Sequence, residues 1–204
     1  MHKKFMLACM AIAAFSAFVI APAASATTLT SNGKVVPVGT SVTGLNEGVT
    51  KFVSEALTVE CDHDHLTGTV TKNNTEHVVG EIPIGWAKFN GTGASTDCTA
   101  GNLGSAKVTV TSKLCITAGA SDILTVTGCG GNVVFDLEVT GLGNCKYSVA
   151  SITGTYTTNT SPVSGSIFEK GAARIEGGFF CPPEGKLTMV FNLYTTDGTP
   201  LTIS

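Results

Sequence analysis

The densest cluster of metal-binding side chains in the sequence is Asp62-His63-Asp64-His65. On an extended strand the two imidazoles would point to one face and the two carboxylates to the other. Two imidazoles at this spacing can bind zinc or copper when a third ligand comes from elsewhere in the fold. His77 is the only other histidine beyond the N-terminal segment, so His63, His65 and His77 form a candidate metal site. The alternative is a solvated polar edge, and no other cofactor is predicted.

The remaining residues give little indication of a catalytic site. The sequence has no G-x-S-x-G motif, and its few histidines leave little scope for a Ser–His pair. Glycoside hydrolysis needs two carboxylates across a cleft, and the spacing of the acidic residues singles out no pair. The candidates by residue type are Glu81, Asp97, Glu169, Glu176 and Glu184. We therefore assign no catalytic residue and predict a non-catalytic binding or structural protein, the alternative being an extracellular hydrolase that uses carboxylates or a metal.

The N-terminus has the pattern of a secretory signal peptide. Lys3 and Lys4 precede an apolar run over residues 5–20, and Ala24-Ser25-Ala26 supplies the small residues of a cleavage site. Residues 1–26 are thus predicted to be removed and the protein to be secreted. Without the two lysines, ten basic residues face 15 acidic ones, a net charge of −5 that excludes nucleic acid as a partner. No later apolar stretch reaches the roughly 18 residues of a transmembrane helix.

Cysteine spacing coincides with a weak internal repeat. The stretch Leu66-Thr67-Gly68-Thr69 resembles Ile152-Thr153-Gly154-Thr155, and Val79–Ile82 has a loose counterpart in Ser164–Ile167. A cysteine precedes each copy, and another follows that cysteine after 37 residues in the first copy and 36 in the second. Six cysteines allow fifteen pairings in an exported protein. Because cysteines at equivalent positions of the two copies should form equivalent disulfides, the repeat predicts Cys61–Cys98 and Cys145–Cys181. This leaves Cys115–Cys129 as the third disulfide.

Composition and periodicity predict an all-β protein. The chain is rich in threonine, contains 24 glycines and has only 13% charged residues, a composition that disfavours helices. Apolar and polar residues alternate over 132–140 and 186–194, as in strands with one buried face. Residues 49–57 suit a helix or a strand equally well. The predicted fold is a disulfide-bonded antiparallel β-sandwich or barrel-like fold.

The repeat also suggests how the chain is organised within one compact domain. After the signal peptide, residues 27–55 form lead-in strands and residues 56–112 a first β-unit. Residues 113–133 form a connecting hairpin, and residues 134–204 form a second, related β-unit.

Two loops are the candidate recognition sites for an extracellular partner, protein or glycan. They run from Trp86 to Thr96 and from Ala172 to Gly185. Binding residues concentrate on loops that a rigid scaffold positions. An exposed Trp86 would suggest an aromatic platform there, but a buried core tryptophan is the commoner outcome.

Several glycine-rich stretches carry a resemblance to other proteins. They are Leu66-Thr67-Gly68-Thr69, Gly128-Cys129-Gly130-Gly131 and Gly177-Gly178-Phe179-Phe180-Cys181-Pro182, set among threonine-rich strands. In these the chain resembles uncharacterised secreted proteins of bacteria, chiefly soil actinobacteria. The resemblance implies export and a β fold, and it implies no activity and no catalytic residue.

Overall fold

The computed structural model describes residues 27–91 and 97–204, so the predicted signal peptide lies outside the described residues. Two short 3-10 turns, Gly101–Leu103 and Ala120–Asp122, accompany the strands. The first nine strands are β1 (Leu29–Ser31), β2 (Lys34–Val35), β3 (Ser41–Asn46), β4 (Thr50–Val53), β5 (Thr58–Cys61), β6 (His65–Asn73), β7 (Val78–Ile82), β8 (Ala87–Phe89) and β9 (Cys98–Thr99). The remaining strands are β10 (Ser105–Val110), β11 (Leu114–Ala118), β12 (Ile123–Gly128), β13 (Val133–Val139), β14 (Gly143–Val149), β15 (Ile152–Tyr156), β16 (Ser164–Gly177), β17 (Glu184–Thr195) and β18 (Leu201–Ile203).

The all-β prediction is confirmed, and the alternation explains why these segments are strands. In β13, Val133, Phe135, Leu137 and Val139 are buried while the residues between them are more exposed. One apolar face therefore packs into the core along the whole strand. The undecided segment 49–57 contains strand β4, in which Thr50 and Phe52 point inward. Among the described residues, none lies in a helix long and apolar enough to cross a membrane.

The large sheet closes on itself twice, which gives the barrel-like form of the predicted fold. The first ring passes through β13, β14, β16, β17, β4, β5, β9 and β10 and returns to β13. The second ring passes through β16, β15, β12, β11, β7, β6, β3 and β17 and returns to β16. Strand β8 pairs with β6 of the second ring and β10 of the first. Closure leaves these strands without unpaired edges, which otherwise template aggregation.

The hairpin of β16 and β17 belongs to both rings. Residues Ser164–Ile167 of β16 pair with β17 on the side of the second ring, and Lys170–Ala173 pair with β17 on the side of the first. The register shifts between these two stretches, at Phe168 and Glu169. Such a bulge bends a strand and increases its twist, so it lets one hairpin serve both rings.

A small second sheet covers one end of the second ring. It has the order β18-β1-β2, and its Leu29, Leu201 and Ile203 are buried against residues of the second ring such as Val163. Asn73 fixes this cap, because its Nδ2 donates to the carbonyls of Leu29 and Val36, both at 2.8 Å.

The three predicted disulfides are confirmed. Cys61–Cys98, Cys115–Cys129 and Cys145–Cys181 have Cα–Cα distances of 4.6, 5.1 and 5.6 Å. These distances lie within the range that a disulfide requires. Matched cysteine spacing therefore selected the right pairing among the fifteen.

The two copies of the sequence repeat occupy equivalent places in the second ring. Gly68 of β6 pairs with Val42 of β3, and Gly154 of β15 pairs with Leu124 of β12 in the same register. Likewise Thr69 pairs with Glu81, and Thr155 with Ser166. The division of the chain at residues 56–112 and 134–204 stays a prediction, because strands from the two segments are hydrogen-bonded to each other at β10 and β13.

Glycine is required at the centre of each copy. A Cβ on Gly68 would lie 2.8 Å from the Glu81 carbonyl oxygen and 3.1 Å from Ile82 Cγ1. A Cβ on Gly154 would lie closer still to the Ser166 carbonyl oxygen and 3.0 Å from Ile167 Cγ1. The same close approach therefore recurs in both copies and explains why Thr-Gly-Thr is the part of the repeat that is retained.

Replacing Gly154 by Ala should destabilise the fold by at least about 2 kcal/mol, since overpacking against backbone forces a strand to move. Urea unfolding followed by fluorescence or circular dichroism measures this loss. The matched control is Gly171→Ala on β16, where an added Cβ meets nothing within 4 Å. Equal stability of the Gly154→Ala variant and the control would contradict the close-approach explanation.

Candidate functional site

The histidine-rich segment lies at the start of β6. His63 and His65 are exposed, and Asp64 between them is buried with 2% of its surface accessible. The predicted separation of imidazoles from this carboxylate is therefore found, with the histidines outward and Asp64 inward. The nearest polar contact of the His65 ring is Thr67 Oγ1, at 3.5 Å from Nε2.

His77 is not brought to the other two histidines. It follows the turn at the far end of β6, and the strand's nine residues separate it from His65 by roughly 25 Å at 3.3 Å per residue. Its Nδ1 lies 3.9 Å from Glu76 Oε2. Within the described residues, the grouping of three ligand-type atoms within 4.8 Å is Glu81, Cys115 and Cys129, whose sulfurs form a disulfide. Metal binding by His63 and His65 stays a prediction, and its third ligand would have to be a residue other than His77.

Asp64 is the titratable group that the fold perturbs most. The backbone N–H of Asn90 donates to its Oδ1 at 3.1 Å, while Oδ2 is buried without a hydrogen-bond partner. Burial raises the pKa of Asp64 from 3.8 to about 6, although the nearby Thr50 hydroxyl and the Asn90 N–H act in the opposite direction. Thr50 Oγ1 is itself buried and makes no hydrogen bond of good geometry. The segment for which a metal site is predicted thus also contains a buried carboxyl group.

Asn46 ties this carboxyl segment to the β3–β4 turn. Its Oδ1 accepts the backbone N–H of Asp64 at 3.0 Å. Its Nδ2 donates to the carbonyls of Asp62 at 2.8 Å and Gly48 at 2.7 Å. The Asp64 backbone and side chain therefore connect three turns, which gives this residue a structural role.

The segment from Ala172 to Gly185 forms the end of the β16–β17 hairpin and not a separate loop. Strand β16 extends to Gly177, β17 begins at Glu184, and residues 178–183 connect them. We call residues 175–183 the hairpin tip. Phe179 is 96% exposed, and Phe180 and Ile175 are 67% and 58% exposed. These apolar side chains make the hairpin tip the candidate binding surface.

A disulfide and several hydrogen bonds at its base restrain the hairpin tip. Cys181 is bonded to Cys145 of β14, and its N–H donates to the Gly178 carbonyl at 3.1 Å. Arg174 Nη1 donates to the carbonyls of Gly178, at 3.1 Å, and Cys181. The buried Tyr147 hydroxyl donates to the Pro182 carbonyl at 3.0 Å. The exposed phenylalanines thus stand on a fixed backbone.

Gly177 permits this arrangement. Its φ of 133° lies in the region that favours glycine, and a Cβ there would lie 2.6 Å from Cys181 Sγ. The Gly-Gly-Phe-Phe-Cys sequence could have revealed a tight disulfide-anchored turn, but it carries no signal that both phenylalanines face solvent.

The second predicted recognition loop, Trp86 to Thr96, is a loop only in part, because Trp86 is followed by strand β8, in which Ala87 and Phe89 are buried. Trp86 is 54% exposed and Ile84 61%, so Trp86 is not a core residue. They lie on a turn in which the Trp86 N–H donates to the Pro83 carbonyl at 3.1 Å. Residues 92–96 of this loop lie outside the described residues.

Three of the five carboxylates considered for catalysis are paired with lysines near the surface. Glu81 pairs with Lys113, Glu169 with Lys186 at 3.3 Å, and Glu176 with Lys146 at 2.9 Å. Glu184 is exposed on β17. Asp97 lines a polar surface depression of about 540 Å³ together with Glu138, Ser105 and Lys107.

Comparison with known proteins found no matching family model, no matching curated protein and no matching solved structure. The interpretation of this site therefore rests on its own geometry. An exposed, fixed pair of aromatic side chains can supply apolar contact area to a partner.

The Asp64→Asn variant should lose much of the pH dependence of folding stability. The raised pKa means that the folded protein favours the protonated carboxyl group. Its contribution is therefore present below pH 4 and is lost as the pH rises through 6, by up to about 3 kcal/mol. Asparagine keeps an acceptor for the Asn90 N–H and carries no charge.

Urea unfolding at pH 4 and pH 7.5 measures this difference. Glu55→Gln, a surface change of the same kind, is the control. If Asp64→Asn and the wild type lose the same free energy of unfolding between the two pH values, Asp64 is not the responsible group.

Proposed function

We propose that this chain is a non-catalytic extracellular protein that binds a partner protein through the hairpin tip. The observation that carries the proposal is the exposure of Phe179 and Phe180 on a disulfide-anchored turn. Exposed aromatic side chains on an ordered backbone are typical anchors of protein interfaces, because they bury much apolar area.

The ordered backbone of the hairpin tip in the free protein favours binding as much as the exposure of its side chains does. Arg174, Tyr147 and the Cys145–Cys181 disulfide already fix the backbone of the hairpin tip. Binding then requires little additional ordering of the backbone, and more of the contact energy remains as affinity.

The orientation of the two rings favours a protein partner over a glycan. The ring centroids of Phe179 and Phe180 are 5.7 Å apart, and their planes make an angle of 79°. Rings so oriented do not form one flat platform for a sugar ring. They suit insertion into apolar pockets of a protein surface instead.

The extracellular location is part of the proposal. Three disulfides are typical of proteins that fold in an oxidising compartment. The predicted signal peptide at residues 1–26 and the resemblance to secreted actinobacterial proteins point the same way.

The hydrolase alternative has one place in the described structure to which it could be assigned. Asp97 and Glu138 line the same polar depression. Loss of polysaccharide hydrolysis by the purified protein on combining Asp97→Asn with Glu138→Gln would support this alternative. Absence of hydrolysis in the wild type would remove it.

Replacing Phe179 and Phe180 by serine should weaken partner binding at least thirty-fold, since truncation of an interface anchor costs about 2 kcal/mol or more. The partner is captured by placing a photo-crosslinking phenylalanine analogue at position 180 and irradiating it with proteins of the culture supernatant and cell envelope. The same analogue at Val38, which is 63% exposed elsewhere, is the control.

A protein crosslinked from position 180 and not from position 38, and competed by the wild type but not by the double serine variant, is the expected result. Equal competition by the double variant would rule out the hairpin tip as the binding surface. Binding only to a glycan array, lost in the double variant, would replace the protein partner by a glycan.

A further inference from the structure

An apolar cavity of about 190 Å³ lies in the interior of the second ring and continues to strands β4, β5, β10 and β13 of the first. Its wall includes Val70, Ile82, Leu114 and Leu193 of the second ring and reaches Phe52 and Phe135 of the first. A cavity of about 150 Å³ with similar apolar walls stays free of water and holds benzene. This volume is therefore large enough for a small organic molecule.

The two rings differ in how their interiors are filled. The first contains a cluster of Phe52, Phe135 and Tyr147, whose ring centroids are 4.8 to 5.9 Å apart. At the corresponding depth, the second ring presents aliphatic side chains and the glycines Gly44, Gly68, Gly80 and Gly165. Of these glycines, Gly80 is the one at which an added side chain would have room, since a Cβ on Gly68 would lie 2.8 Å from the Glu81 carbonyl oxygen and one on Gly165 3.1 Å from Leu124 Cδ2.

Gly80 pairs with Val70 beside the bulge of β6 and is the cavity-lining glycine with the most open space around it. It lies inward on β7 between the buried Val78 and Ile82, and it has no positive φ. A Cβ there would meet only the Thr69 carbonyl oxygen, at an ordinary 3.7 Å. A larger residue at this position would fill part of the void.

None of the described residues that line the cavity directs a charged end into it. Lys51 and Glu81 contribute to its wall, but their charged ends point outward to partners, Glu60 at 2.6 Å and Lys113 respectively. An ionised ligand would be buried here without a counter-charge, which is strongly unfavourable. The occupant must therefore be neutral and largely hydrocarbon.

From these observations we infer that the interior of the second ring binds a small neutral apolar molecule, of the size of a substituted benzene or a short hydrocarbon. The site is independent of the hairpin tip. Sheet β18-β1-β2 covers one end of the ring, and its Leu29 and Ile203 contribute to the cavity wall.

The test is a titration of the purified protein with p-xylene, followed by the methyl NMR signals of Val70, Ile82 and Leu114. Saturable shifts at these methyl groups are expected, with a rise in Tm of roughly 2–4 °C near saturation. Benzoate, which has a similar size and a charge, should produce neither effect.

Gly80→Val is the matching variant, because its side chain occupies the cavity. It should weaken p-xylene binding at least ten-fold, whereas Gly171→Val, the same change in open space on β16, should leave binding unchanged. If Gly80→Val does not fold, the wild-type titration decides. Shifts confined to the methyl groups of Ile175 at the hairpin tip, no saturation up to the solubility limit of p-xylene, or equal binding of benzoate would each overturn the inference.

Discussion

Backbone hydrogen bonding between β16 and β17 is the interaction on which the rest of the structure depends. Each ring closes only because this hairpin supplies two of its neighbouring strands. The bulge at Phe168 and Glu169 lets the hairpin turn from one ring into the other without losing its pairing. The same hairpin then extends beyond the first ring as the hairpin tip. The proposed binding surface is thus built on an element that both rings share.

The glycines of the second ring determine how closely neighbouring strands approach each other and how much empty space is left inside the ring. At Gly68 and Gly154 the absence of a Cβ allows a neighbouring strand to come near, and these residues tighten the second ring. At Gly80 the absence of a Cβ serves no such contact and leaves space instead. The first ring fills its interior with aromatic side chains around Tyr147. The two rings therefore differ in how densely their interiors are filled.

The sequence predicted the fold class and the disulfides, because alternation in segments such as β13 reports burial directly and equal cysteine spacing reports equivalent positions. It did not predict the strand order, since periodicity shows which face is buried but not which strand is the neighbour. The same limit affected the site. The sequence predicted that His77 could join His65 in one metal site, but the two residues lie at opposite ends of β6. Asp64 was identified as a metal-type side chain, and only the packing around it shows that it is buried. The segment of the hairpin tip was predicted, but the outward orientation of Phe179 and Phe180 was not.

Native-state hydrogen exchange tests most directly whether two rings joined by one hairpin form a single unit. Amides hydrogen-bonded between β16 and β17, such as those near Ile167 and Leu187, should be among the slowest to exchange. In increasing denaturant, the protected amides of both rings should converge on one free energy of opening, because neither ring can close without the shared hairpin. Two separate free energies, one for strands β10 and β13 and a lower one for β7 and β12 with β16 still protected, would contradict this account.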